Sequence, residues 1–143
     1  WIPVKKGQFI WKFEMVCRTN NISDQELKEL SFRLDEGVIG YTYLKSQGKY
    51  AVEFIDISDP TKLPKSYIPL HSDNQLLINP SIKAVLAVAA LQKNSIVGLL
   101  AIDTDEIADL PIMNDKNLHS DIFDWIVDNS SVVELFWRMK NNV

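Results

Sequence analysis

Few side chains in this chain of 143 residues can do chemistry, and their spacing decides which kinds. The histidines are His71 and His119, and the one cysteine is Cys17. A structural zinc site needs ligands in closely spaced pairs, and neither a His-x-x-x-His nor a Cys pair occurs. His71 stands beside Ser72 and Asp73 and reads as a loop histidine available for ligand contact. His119 reads as a surface or capping residue. Cys17 falls on the apolar side of an alternating run, where a thiol acts as a small buried hydrophobe rather than a nucleophile. A single cysteine forms no intramolecular disulfide, which fits a reducing compartment.

The carboxylates are equally unorganised for catalysis. Asp103-Thr104-Asp105-Glu106 with Asp109 lacks the glycine and the closing glutamate of a calcium-binding hand, and reads as a solvated acidic loop. Asp56 and Asp59 have no nucleophile set against them. No Gly-x-Ser-x-Gly elbow occurs, and the five glycines are too dispersed to cradle a phosphate. No set of nucleophile, base and metal ligand can be assembled. The expectation is a binding or relay domain rather than an enzyme, with no cofactor. A net charge of −4 and a pI near 5.1, without any Lys/Arg cluster, argue against nucleic acid as a partner. The longest apolar run, Ala84 to Leu91, is too short to cross a bilayer.

The elements that must position these residues follow from periodicity. At 46% hydrophobic and 24% charged, the chain has the composition of one folded domain. Trp1 to Val4, a turn at Lys5-Lys6-Gly7 and the alternating run Gln8 to Arg18 predict an antiparallel hairpin. Ser23-Asp24-Gln25-Glu26 has the form of a capping box, and Leu27, Leu30 and Leu34 predict a short helix ending near Asp35-Glu36-Gly37. Tyr50 to Asp56 reads as a strand. From Ile57 to Pro80 the prolines 60, 64, 69 and 80 forbid long regular structure, although the apolar content argues for order. Ile82 to Leu91 and Ile96 to Ile102 around Gln92-Lys93-Asn94-Ser95 predict a central hairpin covered on both faces. Gly98 inside it implies a close approach from another layer. One long helix is expected from about Asp115 to Met139, with Leu118, Ile122, Trp125, Val132 and Phe136 as its apolar stripe.

Gly37-Val38-Ile39-Gly40 after a short helix, Ser81 to Val88, a polar turn and Ile96 to Asp103 occur here in one order. That order resembles the GAF family, whose pattern has Gly-x-x-Gly before the middle strands. It continues with a Ser-led strand, a turn and a "viGvL" strand closed by a long C-terminal helix. The resemblance spans roughly Gln8 to Trp137. Ala87-Val88-Ala89-Ala90 departs from the family's "avPl", and the family's first helix is missing. Residues 1–143 therefore resemble a single GAF-like domain trimmed at its N-terminus, a fragment of a longer protein.

The resemblance implies an α+β fold: a central antiparallel β-sheet with helices packed on it and a long C-terminal helix. It also implies a small-molecule pocket between the sheet and the segment Tyr41 to Pro80, lined or anchored by Tyr43, Phe54, Tyr67, His71, Asn79 and Ser81. Asp73 and Asn74 are further polar anchors there. The family's reductase branch uses several cysteines, its bilin branch a cysteine in the loop region, and its cyclic-nucleotide branch an "NKFDE" signature; none is present. The expected function is a regulatory domain that binds a small-molecule ligand and relays the signal through its C-terminal helix. The expected location is cytoplasmic, with any membrane anchor upstream of Trp1. The alternative is a ligand-free scaffold that forms a homodimer through Trp125, Val132, Phe136 and Trp137.

Overall fold

The computed structural model describes residues 1–6, 9–16, 30–47 and 49–143, with Phe9 and Trp11 by backbone only. The N-terminal alternation does form an antiparallel hairpin. Strand β1 (Ile2–Lys6) pairs with β2 (Phe9–Glu14), and β2 pairs with the two-residue β3 (Ser31–Phe32). A second sheet holds β4 (Val52–Asp56), β5 (Ala84–Gln92) and β6 (Ser95–Thr104), all antiparallel, with β5 in the middle. The two sheets meet at one residue pair. Trp1 N donates to Leu99 O at 2.7 Å, and Leu99 N donates to Trp1 O at 2.8 Å. Pro3 has no N–H to extend that exchange, and its carbonyl accepts from Asn141 Nδ2 instead.

Both faces of this layer are covered. Ala87, Ala89 and Leu91 of β5 point into one apolar cluster, while Val88 and Ala90 point into another, as period two requires. The first cluster is closed by helix α1 (Gly37–Ser46) and by Ile57, Leu63, Tyr67, Leu70 and Ile78 of the irregular segment. That segment holds a 3₁₀ turn (Pro60–Lys62) and the short helix α2 (Ser72–Gln75). A second 3₁₀ turn (Ile107–Asp109) and α3 (Leu110–Met113) follow β6. The second cluster is closed by α4 (Lys116–Asp128) and α5 (Ser130–Asn141). Burying a Val- or Leu-sized side chain is worth ~1.5–3 kcal/mol, so β5, apolar on both faces, anchors the sheet. The architecture is α+β with antiparallel strands.

Several expectations need correction. The capping box and Cys17 lie outside the described residues. The end of the helix expected there is instead β3, with Phe32 buried and its ring stacked on Trp1 at 4.2 Å. Gly37-Val38-Ile39-Gly40, expected to follow a short helix, is itself the first turn of α1, which runs through Tyr41 and Tyr43. Gly37 enters it at φ +64°, a conformation that glycine adopts without strain. The single C-terminal helix is two helices. Asn129 (φ −103°, ψ 8°) leaves helical geometry, its side chain donates to Trp125 O at 2.8 Å, and it begins α5. Ser130, buried at the break, accepts from Gln92 Nε2 at 2.8 Å, which fixes the interruption to the β5–β6 turn.

The break also changes the apolar stripe. Ile122, Ile126, Val133 and Trp137 face the sheet. Trp125, Val132 and Phe136, the other members of the expected apolar stripe, are exposed. Gly98 has the expected role: a Cβ there would collide with Val133 Cγ1 and press on Ile2 and the Trp1 carbonyl.

Candidate functional site

The feature that organises the irregular segment is a carboxylate. Glu36 directly precedes α1 and is almost wholly buried, at 2% exposure. Its Oε1 accepts from Arg33 N at 2.7 Å and from Asn74 Nδ2 at 2.6 Å, and its Oε2 accepts from His71 N at 2.5 Å. The backbone adds a parallel bridge from Glu36 to Ile68, in which Gly37 N donates to Ile68 O at 2.8 Å. A buried carboxyl group needs hydrogen-bond partners, and these three donors serve both of its oxygens. Ile68 to Asn74 is thereby tied to the start of α1.

Beside this tie opens a groove of about 630 Å³ lined by Lys12, Ser31, Phe32, Arg33, His71, Asp73 and Asn74. Strands β2 and β3 form one wall and α2 the other. Arg33 is exposed, and its guanidinium makes no ion pair among the described residues. Lys12 Nζ lies 2.6 Å from Glu14 Oε1, and His71 Nδ1 lies 3.5 Å from Asp73 Oδ2. The groove thus offers the cations Lys12 and Arg33, the Asn74 amide, the Ser31 hydroxyl and the Asp73 carboxylate beside Phe32, a mixed set suited to a small polar molecule. Among the described residues no group of three or more His, Cys, Asp or Glu side chains is placed to hold a metal ion.

The six residues expected in the site are not brought together. Tyr43 and Tyr67 both belong to the cluster under the irregular segment; Tyr43 meets Phe13 edge-on at 5.2 Å, and Tyr67 lies 6.4 Å from Tyr41. Burial pushes the Tyr67 hydroxyl above the ordinary tyrosine range. His71 lines the groove. Phe54 points through the opposite face of the sheet, 6.5 Å from the His119 ring, because alternation along β4 gives the inner position to Ile55. Asn79 and Ser81 are exposed in the turn before β5, where Asn79 Oδ1 accepts from Ser81 N at 2.9 Å. Asp73 and Asn74, the further anchors, do reach the groove.

Other candidates resolve into local structure. His119 Nε2 is 2.7 Å from Met113 O and joins α4 to α3. Asp56 and Asp59 accept from the backbone two residues on, as turn-forming aspartates do. Asp109 accepts from Thr104 Oγ1 at 2.8 Å, so the acidic loop binds itself. Sequence reasoning missed Lys12, Arg33 and above all Glu36. Nothing local marks Glu36, which follows the mixed run Arg33-Leu34-Asp35 as an ordinary charged residue.

Glu14 extends the site across the molecule. Its carboxylate receives Lys12 on one oxygen and Lys140 of α5, at 2.9 Å, on the other. Partial burial raises the Glu14 pKa, but the hydrogen bonds from both lysines outweigh it and hold the carboxyl below its usual range. No helix is long and apolar enough to cross a membrane. No protein-family model, curated protein or solved structure matches the chain.

Proposed function

We propose that this chain is a GAF-like regulatory domain that binds a small polar or anionic molecule in the groove between β3 and α2 and passes the event to its C-terminal helix. The observation that carries the reading is the two-sided ion pair of Glu14. One of its lysines lines the groove and the other belongs to α5. A ligand anion that recruits Lys12 competes with Glu14 for it and strengthens the hold of Glu14 on Lys140. A signal then reaches the last turn of α5 without any change in the core. Binding shifts such a balance only by the difference in its affinity for the two arrangements. The tie between Glu36 and α2 holds the far wall of the groove in place.

The test is native mass spectrometry of the purified domain with its denatured mass as the control. A non-covalent mass that is lost on denaturation, and whose retention falls in Arg33→Ala, supports the reading. Bare protein that also fails to bind any of a panel of small carboxylates and phosphates overturns it.

A second reading has its own observation. Val132, Leu135, Phe136 and Met139 of α5 are all at least two-fifths exposed and recur at helical spacing, an apolar stripe on the outside of the helix. It supports a scaffold that dimerises through α5, with Val132 and Phe136 in the contact and Trp137 excluded because it faces the sheet.

A further inference from the structure

The sheet of β4, β5 and β6 ends at β4. Two hydrogen bonds fix which of its backbone groups face outward. Ala89 N donates to Ala51 O at 3.0 Å before the strand, and Ile57 N donates to Lys83 O at 2.8 Å after it. With Glu53 opposite Ala87 and Ile55 opposite Val85, the odd-numbered residues bond to β5, because backbone direction alternates along a strand. Val52, Phe54 and Asp56 therefore turn their N–H and C=O groups away from the sheet. Among the described residues no strand pairs with that side and no backbone group bonds to it. Helix α1 lies over β4, β5 and β6 and α4 over β5, so the helices cover the faces of the sheet.

The two faces along this edge differ. On the α4 side stand Val52 and Phe54, with Tyr50 meeting Phe123 edge-on at 4.9 Å. Tyr50 is 41% exposed and Phe54 is half-buried. On the α1 side Ile55 is buried, and Glu53 is half-buried without a hydrogen bond or ion pair among the described residues. Lys45, the cation that acts on Glu53 from a distance, is held over the Tyr41 ring at 5.6 Å, and burial outweighs its charge and raises the Glu53 pKa. Asp56 accepts from the Ser58 N–H and hydroxyl, so Glu53 is the strand's carboxylate that lacks a partner.

We propose that the β4 edge takes up an extended, basic segment of a partner protein, with apolar side chains toward α4 and lysine or arginine toward α1. The segment runs antiparallel to β4. Its residue opposite Phe54 exchanges both backbone hydrogen bonds with Phe54 and lays an apolar side chain beside that ring. Its residues opposite Glu53 and Ile55 fall on the α1 face, and both reach the Glu53 carboxylate. Charge selects this occupant over a second copy. Two β4 strands paired antiparallel about Phe54 set the two Glu53 side chains diagonally on one face, with their backbones about 7–8 Å apart. An inward-pointing charge of this kind keeps like edges apart, and a basic strand is its complement. Main-chain pairing supplies affinity, and Glu53 and Phe54 supply selectivity on the two faces.

The test titrates the 143-residue chain with a short capped peptide that alternates valine and lysine, followed by amide NMR. Saturable binding is expected, with slowed exchange at the Phe54 amide and shifts at Phe54 and Tyr50. The valine amides face β4 and the lysine amides face away. N-methylating the valines is therefore expected to weaken binding about tenfold or more, and N-methylating the lysines to leave it within about twofold. Glu53→Gln weakens binding about threefold, the scale of a partly exposed ion pair. The methylated peptides leave the protein untouched, so their comparison stands even if that variant folds poorly. Equal loss from the two methylations, or equal affinity in a folded Glu53→Gln, overturns the proposal. So does protection that develops at Ala101 instead of Phe54, or the absence of saturation at millimolar peptide.

Discussion

The Asn74 side-chain amide donates to the buried carboxylate of Glu36 at 2.6 Å across thirty-eight residues of sequence. With the N–H groups of Arg33 and His71 it makes Glu36 the fastening of the irregular segment. Glu36→Ala removes a charged acceptor and strands three donors, and is expected to cost about 3 kcal/mol in urea unfolding. Hydrogen exchange at residues 68–75 is expected to accelerate before that of β5. A loss under ~1 kcal/mol, or uniform acceleration, would show that the segment is held by its apolar side chains alone.

How far the sequence disclosed this arrangement depends on the range of the interactions. The β1–β2 hairpin, β4 and the β5–β6 hairpin were legible because alternation and turn residues are local signals. Gly98 was legible too, as a glycine in a buried strand with no other reason to be there. The break at Asn129 was written in Asp128-Asn129-Ser130-Ser131, but a continuous helical count hid it. Placing Phe54 in the site overlooked the side of the sheet it faces, which alternation alone gives only once Ile55 is known to be inside. Glu36 was not legible at all, since its donors come from Arg33 and from residues 71 and 74, which only the fold brings near.

Gly98 leads to a test of the α5 contact. Gly98→Ala adds a methyl group into Val133 Cγ1, and overpacking of this kind costs ~1–3 kcal/mol. Val133→Ala alone also destabilises, by loss of buried surface. The double variant is expected to lose less than the sum of the two, because each removes the obstacle to the other. Simple additivity in thermal unfolding would mean that α5 does not sit on Gly98.

Glu14 should appear in the acid limb of stability. Partial burial opposes its charge, but Lys12 and Lys140 win and its folded pKa lies below the unfolded one. Such a group stabilises the fold above its unfolded pKa and loses that contribution as pH falls through the folded value. Glu14→Gln is therefore expected to be less stable at neutral pH by ~0.5–1 kcal/mol, the scale of a partly exposed ion pair, and to converge with the parent in acid. A gap that persists at low pH would assign the effect to packing.

Tyr67 gives the opposite sign. Burial raises its folded pKa, so the unfolded chain ionises first and stability falls as pH climbs through the ordinary tyrosine range toward the folded value. Absorbance titration near the phenolate band is expected to show a step above the ordinary tyrosine range, and Tyr67→Phe is expected to remove that late step. If the late step remains in Tyr67→Phe, it does not belong to Tyr67.

The two faces of α5 make different demands. Val133 and Trp137 pack on the sheet, whereas Leu135 and Phe136 stand in solvent. Leu135→Glu and Phe136→Glu are expected to change monomer stability by less than ~0.5 kcal/mol, while Trp137→Ala costs ~3 kcal/mol or more. Sedimentation then decides what the outer stripe does. A dimer that either glutamate variant converts to a folded monomer assigns the stripe to self-association. A dimer that both variants leave intact moves the contact elsewhere. Cutting the chain after Asp128 cannot separate these cases, because it also removes Val133 and Trp137 from the core.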